Sequence, residues 1–436
     1  MADGDDAAVQ DDGIVHEGQW VIVATNGEKR LVKVDATNRV YIDHARLPAL
    51  GLVGVPFGAI VTSAGGNLAI DDRLAEDVTG TFAEWARAAE ASSEMQRTNK
   101  ALFDDGTAQS LSAAEIATLR AQGMQGEDLV REIAQHSATF EGKSTFSQHK
   151  YLKKKARKYT PVVQVLRPTP VELCETYAQL GKLDKILELR ADSLALLLAR
   201  SNVRAGARVL VVDTGIGLVT GALAQRMAGL GSLLVAHARP HVPLDGVHML
   251  NTPPDGWAAI SAAPLDDVRT ALEDMAASGA HVSAPRAFDS VAAAPAGAAA
   301  TAEGAPAVAA AATLVRSAGR SFRRLSPAET AQWLADGCDS LVIAMSATTP
   351  ELVRTLVRAL RPSGSVAVYN ACMQPLAQLT HELARDGSPV MNAQMCESWA
   401  REYQVLPNRT HPMMTNVLPT GYVLSGFARP RADVRA

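Results

Sequence analysis

The hydrophobic pattern in the first part of the chain changes every few residues. Between residues 17 and 70, apolar runs such as "QWVIVAT" are separated by turn signals, of which Asn26-Gly27 and Gly65-Gly66 are the clearest. Asn-Gly and Gly-Gly pairs adopt the tight turns that join two antiparallel strands. This part of the sequence therefore predicts a small antiparallel sheet or β-barrel.

A helical segment interrupts this β pattern. The composition between residues 71 and 140 favours helix, and "LSAAEIATLRAQG" begins at a capping residue, Ser112, and ends near Gly123. The alternation of apolar and polar residues that is typical of a β-strand returns at "TPVVQVLRPTP". We therefore predict an N-terminal β-rich domain over residues 17–170 with a helical insertion at about residues 71–140.

From Leu183 to Ala428, apolar strands alternate with amphipathic helices. Apolar strands that are separated by helices are typical of a parallel sheet covered on both faces. The sequence therefore predicts an α/β fold with a Rossmann-like domain over residues 171–436. The candidate strands are "RVLVVD", "SLLVAHA", "SLVIAMS" from Ser340, "SVAVYNA" from Ser365, "REYQVLP" and "GYVLSGFAR".

One tract interrupts this alternation. The Pro, Gly and Ala residues of "AAAPAGAAATAEGAPAVAAAAT" cannot supply a packed core. We predict a low-complexity surface loop at about residues 282–320 with no catalytic role.

Length, charge and cysteine content narrow the class of protein but identify no partner. The chain has 436 residues, a formal net charge of −4 and 20% charged residues, which is ordinary for a soluble globular protein. Single cores stop growing at roughly 300 residues, so we expect two domains. The four cysteines include no C-x-x-C pair, which gives no sign of a zinc or redox site, and we expect no bound metal.

The beginning of the chain is acidic. "MADGDDAAVQDDG" contains five Asp and no Lys or Arg, unlike the basic start and apolar core of a secretory signal. It predicts a disordered acidic tail over residues 1–16. The sequence also has no run of about 18 apolar residues, so we expect no membrane segment and an intracellular protein in the cytosol or nucleus.

The stretch "RVLVVDTGIGLVTGALAQRM" has the order of a nucleotide site: an apolar strand, an acidic residue, glycines and a helix. A helix that follows a glycine-rich turn offers N–H groups to a carboxylate or phosphate. Three interpretations compete, namely a nicotinamide site, an adenosyl-cofactor site and no site. Gly215, Gly217 and Gly221 fit a loose nicotinamide pattern, but a glycine triplet is a weak signal by itself.

Two other positions of this candidate site, His237 and Val219, favour the interpretation that the site is empty or degraded. A cofactor ribose is held by a carboxylate at the end of the second strand, whereas "SLLVAHA" has His237 there, and a neutral imidazole accepts only one hydrogen bond. Val219 places a β-branched side chain where a cofactor must approach the backbone. In this interpretation Asp213 orders the glycine turn, and the glycines let the helix pack closely on the sheet.

A basic segment precedes the second domain. "KYLKKKARK", residues 150–158, has six cations among nine residues. Cations at this density neutralise phosphates and tyrosines stack on exposed bases, so we predict RNA contact. A solvated charged face is the alternative, and a nuclear import signal, which "KKKARK" also matches, is compatible with RNA contact and predicts a nuclear protein. The candidate RNA-binding residues are Lys150, Tyr151, Lys153, Lys154, Lys155, Arg157, Lys158 and Tyr159, with Arg409 near the end of the chain.

Several of these motifs together resemble one family. "FSQHKYLKKKARKY", "VLRPTP", "DTGIGLVTGALAQRM", "RTHPMMT" and "GYVLSGFAR" are similar to the non-catalytic subunit of the eukaryotic tRNA (adenine-58-N1)-methyltransferase. The resemblance implies a class I methyltransferase fold with a degenerate S-adenosylmethionine site in the second domain. It also implies a tRNA-binding, scaffolding subunit that is required with a homologous catalytic subunit, in a heterotetramer, to form 1-methyladenosine in the tRNA T-loop.

The resemblance also assigns the residues of the degenerate pocket. The pocket comprises Asp213, Gly215 and Gly217, which match the catalytic relatives, and Val219, His237 and Ala344, which do not. The three departures replace the third glycine of a G-x-G-x-G motif, the glutamate that ends the second strand, and the aspartate that contacts the adenine.

The resemblance therefore implies no catalytic residue and no cofactor in this chain, because the partner subunit binds S-adenosylmethionine. An active S-adenosylmethionine-dependent RNA methyltransferase with a divergent pocket is the first alternative. A nicotinamide-dependent oxidoreductase is the second.

Overall fold

The chain forms two compact units that divide after Arg167. The structure, a computed structural model, describes residues 12–25, 28–42, 45–64, 67–71, 109–121, 124, 126–140, 148, 151–152, 154–155, 163–280, 282, 314–317, 320–385, 387–401, 403–405, 410–414 and 421–430. Residues 12–16, which the sequence places in an acidic tail, belong to the first unit. Val15 is fully buried and Ile14 forms a β-bridge with Pro56, because burial of these apolar side chains outweighs the polarity of their neighbours.

The first unit is built on an antiparallel sheet and a separate hairpin. The strands are β1 (Trp20–Thr25), β2 (Glu28–Lys33), β3 (Arg39–Ile42), β4 (Ala45–Pro48), β5 (Ile60–Ala64), β6 (Asn67–Ile70) and β7 (Val163–Leu166). Five of them form a sheet in the order β2-β1-β7-β5-β6, while β3 pairs with β4. Val21, Val23 and Val165 are buried in one core, because alternate side chains of a strand share a face. The predicted small β domain is confirmed.

Two helices of the predicted insertion lie between β6 and β7. They are α1 (Ala113–Ala121) and α2 (Gly126–Gln135). The start of α1 is where the sequence places it: the Glu115 N–H donates to Ser112 Oγ (3.3 Å), and the Ser112 N–H donates to the Glu115 carboxylate (2.8 Å). This reciprocal pair is a capping box, which satisfies backbone donors at a helix start. Residues 72–108, most of the predicted insertion, lie outside the described residues.

The second unit is a nine-stranded sheet with helices between its strands. The strands after β7 are β8 (Arg208–Asp213), β9 (Ser232–His237), β10 (Ile260–Pro264), β11 (Leu314–Ser317), β12 (Arg320–Arg324), β13 (Cys338–Ala344), β14 (Leu360–Asn370), β15 (Val390–Glu397), β16 (Tyr403–Gln404), β17 (His411–Pro412) and β18 (Tyr422–Ala428). The helices are α3 (Pro170–Gln179), α4 (Ala191–Arg200), α5 (Leu218–Met227), α6 (Asp245–Met249), α7 (Pro254–Ala258), α8 (Leu265–Ala277), α9 (Pro327–Ala335), α10 (Pro350–Val357) and α11 (Met373–Leu383). The sheet order is β11-β12-β10-β9-β8-β13-β14-β18-β15.

The centre of this sheet is parallel and buried on both faces. The strands from β12 to β14 in the sheet order run parallel, and β11, β15 and β18 pair antiparallel at the two sides. Val209, Leu210, Val211 and Val212 are all 0% exposed, which explains why β8 reads as a continuous apolar run. The predicted α/β fold with a Rossmann-like second domain is confirmed.

Four parts of the second unit differ from the sequence prediction. The sequence analysis missed β10 because this strand is short and lies directly before a helix. It missed β15 because, after the buried Val390, this edge strand carries only half-buried and exposed residues and so has no clear apolar run. Strands β11 and β12 occupy the end of the segment predicted as a loop. Of the described residues of "REYQVLP", Tyr403 and Gln404 form a strand, and it pairs with β17 rather than with the main sheet. Residues 283–313 of the predicted loop lie outside the described residues.

Three further features of the described residues concern membranes, metal ions and thiols. Among the described helices, none is long and apolar enough to cross a bilayer, and no group of three or more His, Cys, Asp or Glu side chains in the described ranges is arranged to hold a metal ion. Cys174 and Cys338 are buried, and burial raises the pKa of both thiols to about 12. These two thiols are therefore protonated and unreactive at neutral pH.

Candidate functional site

The candidate pocket lies at the carboxyl edge of the parallel strands. Strand β8 ends at Asp213, β9 at His237, β13 at Ala344 and β14 at Asn370. Because parallel strands end at the same edge, ligands of α/β sheets bind in the crevice there. The turn between β8 and α5 contains Gly215 and Gly217.

The Asp213 carboxylate accepts hydrogen bonds from the glycine turn and from the start of α5. Its side chain is buried, and it accepts hydrogen bonds from the Gly215 N–H (3.0 Å) and from the N–H and hydroxyl of Thr220 (3.1 and 3.4 Å). Burial raises the pKa of this carboxyl group, and the hydrogen bonds from Thr220 and Gly215 oppose that rise. Asp213 therefore orders the glycine turn and occupies an N–H group that the start of α5 would otherwise offer to a ligand.

All three glycines are closely packed against other parts of the chain, and at Gly217 the backbone leaves no room for a side chain. Gly217 has φ +82°, and a Cβ there would lie 2.1 Å from the Pro243 carbonyl oxygen. A Cβ on Gly221 would lie 2.7 Å from Leu250 Cδ1, and one on Gly215 would lie 3.2 Å from the backbone oxygen of Lys185. The glycine spacing thus has a structural explanation that involves no ligand.

Val219 and His237, the first two departures from the pattern that the resemblance implies for catalytic relatives, are also buried in the fold. Val219 is 2% exposed within α5. His237 is 8% exposed, and its Nδ1 donates to the Arg239 carbonyl oxygen (2.6 Å), because a carbonyl can only accept. This leaves one ring nitrogen, Nε2, where a carboxylate would present two acceptor oxygens to a ribose.

Ala344, the third departure, joins β13 to the glycine turn. Its side chain is fully buried, and its carbonyl oxygen accepts from the Thr214 N–H (3.0 Å). The residues that follow are fixed by Asn370, whose Nδ2 donates to the carbonyl oxygens of Met345 and Ser346 (3.2 Å each). At the position where the resemblance implies an adenine-contacting acid in catalytic relatives, this chain therefore offers no carboxylate.

Asn370 is a residue that the sequence analysis did not single out. It is 3% exposed, and its Oδ1 also accepts from the Cys372 N–H (2.8 Å), so it ties the ends of β13 and β14 together. Its position in the sequence could have identified it, because an amide side chain directly after the buried run "SVAVY" needs hydrogen-bond partners inside the protein.

The basic segment belongs to the first unit, whereas the glycine turn belongs to the second. Of its candidate RNA-binding residues, the structure describes Tyr151, Lys154 and Lys155. Lys154 is exposed. The remaining candidates lie outside the described residues: Lys150, Lys153, Arg157, Lys158, Tyr159 and, near the end of the chain, Arg409.

Tyr151 is used to pack the basic segment against the insertion. Its hydroxyl donates to Gln109 Oε1 (2.9 Å), its ring centroid lies 5.4 Å from that of Phe140, and Lys155 Nζ lies 5.2 Å from the centre of its ring. Leu152 is buried beside Val130 of α2. These contacts give Tyr151 an anchoring role, and of the described residues of the segment Lys154 is the exposed one.

Comparison with known proteins supports the resemblance seen in the sequence. Residues 14–275 match the profile of the Gcd10p family. A mouse protein named tRNA (adenine(58)-N(1))-methyltransferase non-catalytic subunit TRM6 is 26% identical, and the alignment covers 98% of this chain and 90% of that protein. The non-catalytic subunit of the same name from Dictyostelium discoideum is 31% identical over 95% of this chain and 79% of that protein.

A solved structure supports the fold. The S-adenosylmethionine-dependent O-methyltransferase from Thermotoga maritima superposes with a TM-score of 0.50 at 9% identity, covering 97% of each chain. At this identity the similarity concerns the fold alone, and it confirms the predicted class I methyltransferase-type architecture.

Two glycine variants test whether the turn is held by the chain's own backbone. Gly217 and Gly206 both have positive φ (+82° and +79°), but a Cβ on Gly206 would meet nothing within 4 Å. We expect Gly206→Ala to lower the free energy of unfolding by about 1 kcal/mol, the cost of the left-handed conformation alone. Gly217→Ala should cost at least about 2 kcal/mol more, because it also overlaps Pro243. Urea unfolding of both variants measures the difference, and equal losses would contradict the contact.

Proposed function

The chain belongs to the Gcd10p family, and on this premise we propose that it is the non-catalytic, tRNA-binding and scaffolding subunit of a tRNA (adenine-58-N1)-methyltransferase. In this proposal it acts with a homologous catalytic subunit to form 1-methyladenosine in the tRNA T-loop. The mouse and Dictyostelium relatives are both named as non-catalytic subunits of such an enzyme. The observation that carries the proposal is a methyltransferase pocket whose remaining polar groups are bonded within the chain.

We propose that this chain binds no S-adenosylmethionine and that the partner binds it instead. The residues present do not fit the cofactor: His237 has one ring nitrogen committed to Arg239, and Val219 fills the position of a glycine. They do not fit the reaction either. Methylation of adenine N1 needs an acceptor that holds the exocyclic amino group, and Ala344 supplies none.

A surface for the partner is supported by the hairpin near the end of the chain. We call residues 398–414 the apolar arm; it contains β16 and β17. Its exposed side chains include Trp399 (69% exposed), Val405 (75%) and Met414 (84%), together with Tyr403 and Met413. Aromatic and methionine side chains exposed together mark protein contact surfaces.

The base of the apolar arm is held by the residues at the start of α4. The Arg190 guanidinium donates to the Ala400 carbonyl oxygen (3.2 Å) and forms a two-point ion pair with Asp192 (2.9 and 2.8 Å). The hydroxyls of Ser193 and Ser398 are 3.0 Å apart. A surface fixed in place before binding loses less conformational entropy on association. These contacts support assembly with the catalytic subunit through this arm, and from the family resemblance we propose that the assembly is a heterotetramer.

The basic segment supports contact with tRNA and a nuclear location. The exposed Lys154 lies in a run of cations whose neighbours Tyr151 and Leu152 anchor the segment on the first unit. Such a surface gains affinity for a polyphosphate by releasing counterions. The same run, "KKKARK", is the basis for proposing import into the nucleus.

The central test measures cofactor binding and methylation for each subunit separately. Calorimetry of the isolated chain with S-adenosylmethionine should show no binding. The chain alone should not methylate a tRNA transcript, whereas the chain co-purified with the catalytic homologue should form 1-methyladenosine. Micromolar binding of the cofactor, about −8 kcal/mol, or methylation by this chain alone would instead favour an active enzyme with a divergent pocket.

The apolar arm is tested by removing its exposed side chains. Trp399→Ser with Met414→Ser should weaken binding of the catalytic subunit at least tenfold, since central aromatic side chains carry most of an interface's binding energy. The matched control is Leu230→Ser with Met373→Ser, which removes two apolar side chains that are 46% and 51% exposed elsewhere. Pull-down titrations measure the affinity, and equal behaviour of the two double variants would exclude the arm.

The basic segment is tested by neutralising four of its cations. Lys153, Lys154, Lys155 and Arg157 changed to Ala should weaken tRNA binding by the complex. The slope of log K against log salt should fall by up to about 3.6, because each of the four phosphate contacts contributes about 0.9. Fluorescence anisotropy at several salt concentrations measures both quantities. An unchanged affinity and slope would identify the segment as a solvated charged face.

A further inference from the structure

The β3–β4 hairpin is anchored to the core of the first unit by one of its two faces. Val40, Ile42 and Leu47 are buried in that core. Successive side chains of a strand point to opposite faces, so Tyr41 and Arg46 point away from the core. The register places these two residues directly opposite each other. The hairpin therefore holds an aromatic ring and a cation side by side on its outer face.

Tyr41 and Arg46 are both accessible from solvent. Tyr41 is 50% exposed, and Arg46 is exposed as well. The Arg46 guanidinium lies 5.8 Å from the centre of the Tyr41 ring, which is within cation–π range but longer than the roughly 4 Å of groups in van der Waals contact. Among the residues that the structure describes, no carboxylate forms an ion pair with Arg46. The ring and the positive charge are thus both available to a ligand.

A second arginine lies on the same face of the hairpin. Arg39 precedes Tyr41 by two positions in β3, which places the two residues about 7 Å apart along the strand. The Arg39 Nη1 donates to the carbonyl oxygens of Ala36 (2.8 Å) and Asn38 (2.9 Å). These contacts fix the guanidinium at the start of the hairpin, and because carbonyl groups are neutral they do not cancel its charge. The outer face therefore carries two cations and one aromatic ring.

The acidic residue that precedes the hairpin is bonded within its own turn. The Asp35 carboxylate accepts hydrogen bonds from the Thr37 hydroxyl (2.7 Å) and from the N–H groups of Thr37 and Asn38 (2.9 Å each). These hydrogen bonds lower the pKa of the Asp35 carboxyl group. From residue 36 to residue 48 the sequence has one acidic residue, Asp43, which lies outside the described residues. The described part of the hairpin and its preceding turn thus provides no carboxylate partner for the arginines.

Stabilisation of the hairpin itself explains only part of this arrangement. Residues directly opposite each other in an antiparallel pair interact, and a cation beside an aromatic ring is a favourable pair. That argument covers Tyr41 and Arg46, but it does not require Arg39 on the same face. A protein contact explains the face less well, because the centre of a protein interface is mostly apolar, whereas the neighbours of this ring are cations.

We propose that the outer face of the β3–β4 hairpin binds an unpaired nucleotide of RNA, whose base stacks on Tyr41 and whose adjoining phosphates contact Arg39 and Arg46. Aromatic side chains stack on bases that lie outside a duplex, and guanidinium groups form charge-assisted hydrogen bonds with phosphates. The proposal rests on the proposed function for the identity of the RNA, which is then the tRNA bound by the complex. It deepens that function because it names a site for an unpaired base in addition to the electrostatic contact of residues 150–158.

The test uses the complex of the full chain with the catalytic subunit and a tRNA transcript. Tyr41→Leu keeps an apolar side chain that cannot stack, so it should raise the dissociation constant for tRNA at least about fivefold with an unchanged slope of log K against log salt. Tyr41→Phe keeps the ring and should bind tRNA as the parent complex does. Arg46→Gln should lower the slope by about 1, whereas Arg46→Lys keeps the charge and should retain the slope.

The controls change side chains of similar exposure elsewhere. Ile70→Ala removes an apolar side chain of a residue that is 47% exposed in the first unit, and Arg269→Gln removes a cation whose side chain is 50% exposed in the second. Both should bind tRNA with the affinity and slope of the parent. Circular dichroism and the yield of co-purified catalytic subunit establish that each variant is folded and assembled.

Four results would overturn the proposal, and they differ from one another. Hairpin variants that behave like the controls remove RNA contact from the hairpin while leaving the proposed function intact. An equal loss of affinity in Tyr41→Phe and Tyr41→Leu assigns the effect to the hydroxyl and excludes stacking. Loss of the catalytic subunit with unchanged tRNA affinity of the assembled fraction makes the hairpin a protein contact. A parent complex that does not bind tRNA overturns the proposed function as well.

Discussion

The second unit depends on a close approach of two backbones at the end of β8. Gly217 lies against the Pro243 carbonyl, and Gly246 lies against Leu218, so that a Cβ on Gly246 would be 2.6 Å from the Leu218 nitrogen. The Gly246 N–H donates to the Ile216 carbonyl oxygen (2.8 Å) across the same contact. Each glycine is therefore needed for the position of the other segment, and together they fix α6 against the start of α5. Such mutual dependence preserves a glycine pattern whether or not a ligand lies beside it.

The buried carboxylate of Asp213 follows from the same contact. A charge in a low-dielectric interior is costly unless donors surround it. The glycine turn supplies the Gly215 N–H, and the first turn of α5 supplies the N–H and hydroxyl of Thr220. If the turn changed shape, this carboxylate would lose its donors. The residues that most suggest an occupied nucleotide site are thus held by requirements internal to the fold.

Sequence patterns predicted the parts of the structure in which local chemistry and burial agree. The continuous apolar run of β8 and the Ser112 cap of α1 both have one strong local explanation, and both occur where the sequence places them. Strand β15 could not be recognised in this way, because it is held by pairing with β18, whose residues lie between 25 (Glu397 with Tyr422) and 38 (Val390 with Ala428) positions further along the chain. Such distant pairing has no local signal.

The same limit applies to the candidate site. The replacements at Val219, His237 and Ala344 are visible in the sequence, but the reason that Gly217 remains is not, since Pro243 is 26 residues away and contacts it only in the folded chain. Tyr151 illustrates the opposite case. Its place in a basic segment suggested stacking on a base, whereas its hydroxyl is bonded to Gln109, 42 positions earlier. Residue type predicted the chemistry that was possible, whereas the contact between Tyr151 and Gln109 is visible only in the folded chain.

The loss of pocket chemistry also changes where function can lie. A fold that keeps its core but bonds its pocket groups internally can still contribute through its surface, where substitutions cost little stability. Here the exposed features are of two kinds: large apolar side chains on an arm whose base Arg190 and Ser193 hold in place, and Lys154 in the basic segment that Tyr151 anchors. Apolar surface is stabilised by burial against another protein, whereas exposed cations gain affinity for the phosphates of an RNA by releasing counterions. A subunit with both surfaces can bind a protein and an RNA at once, which is what holding a substrate for a catalytic partner requires.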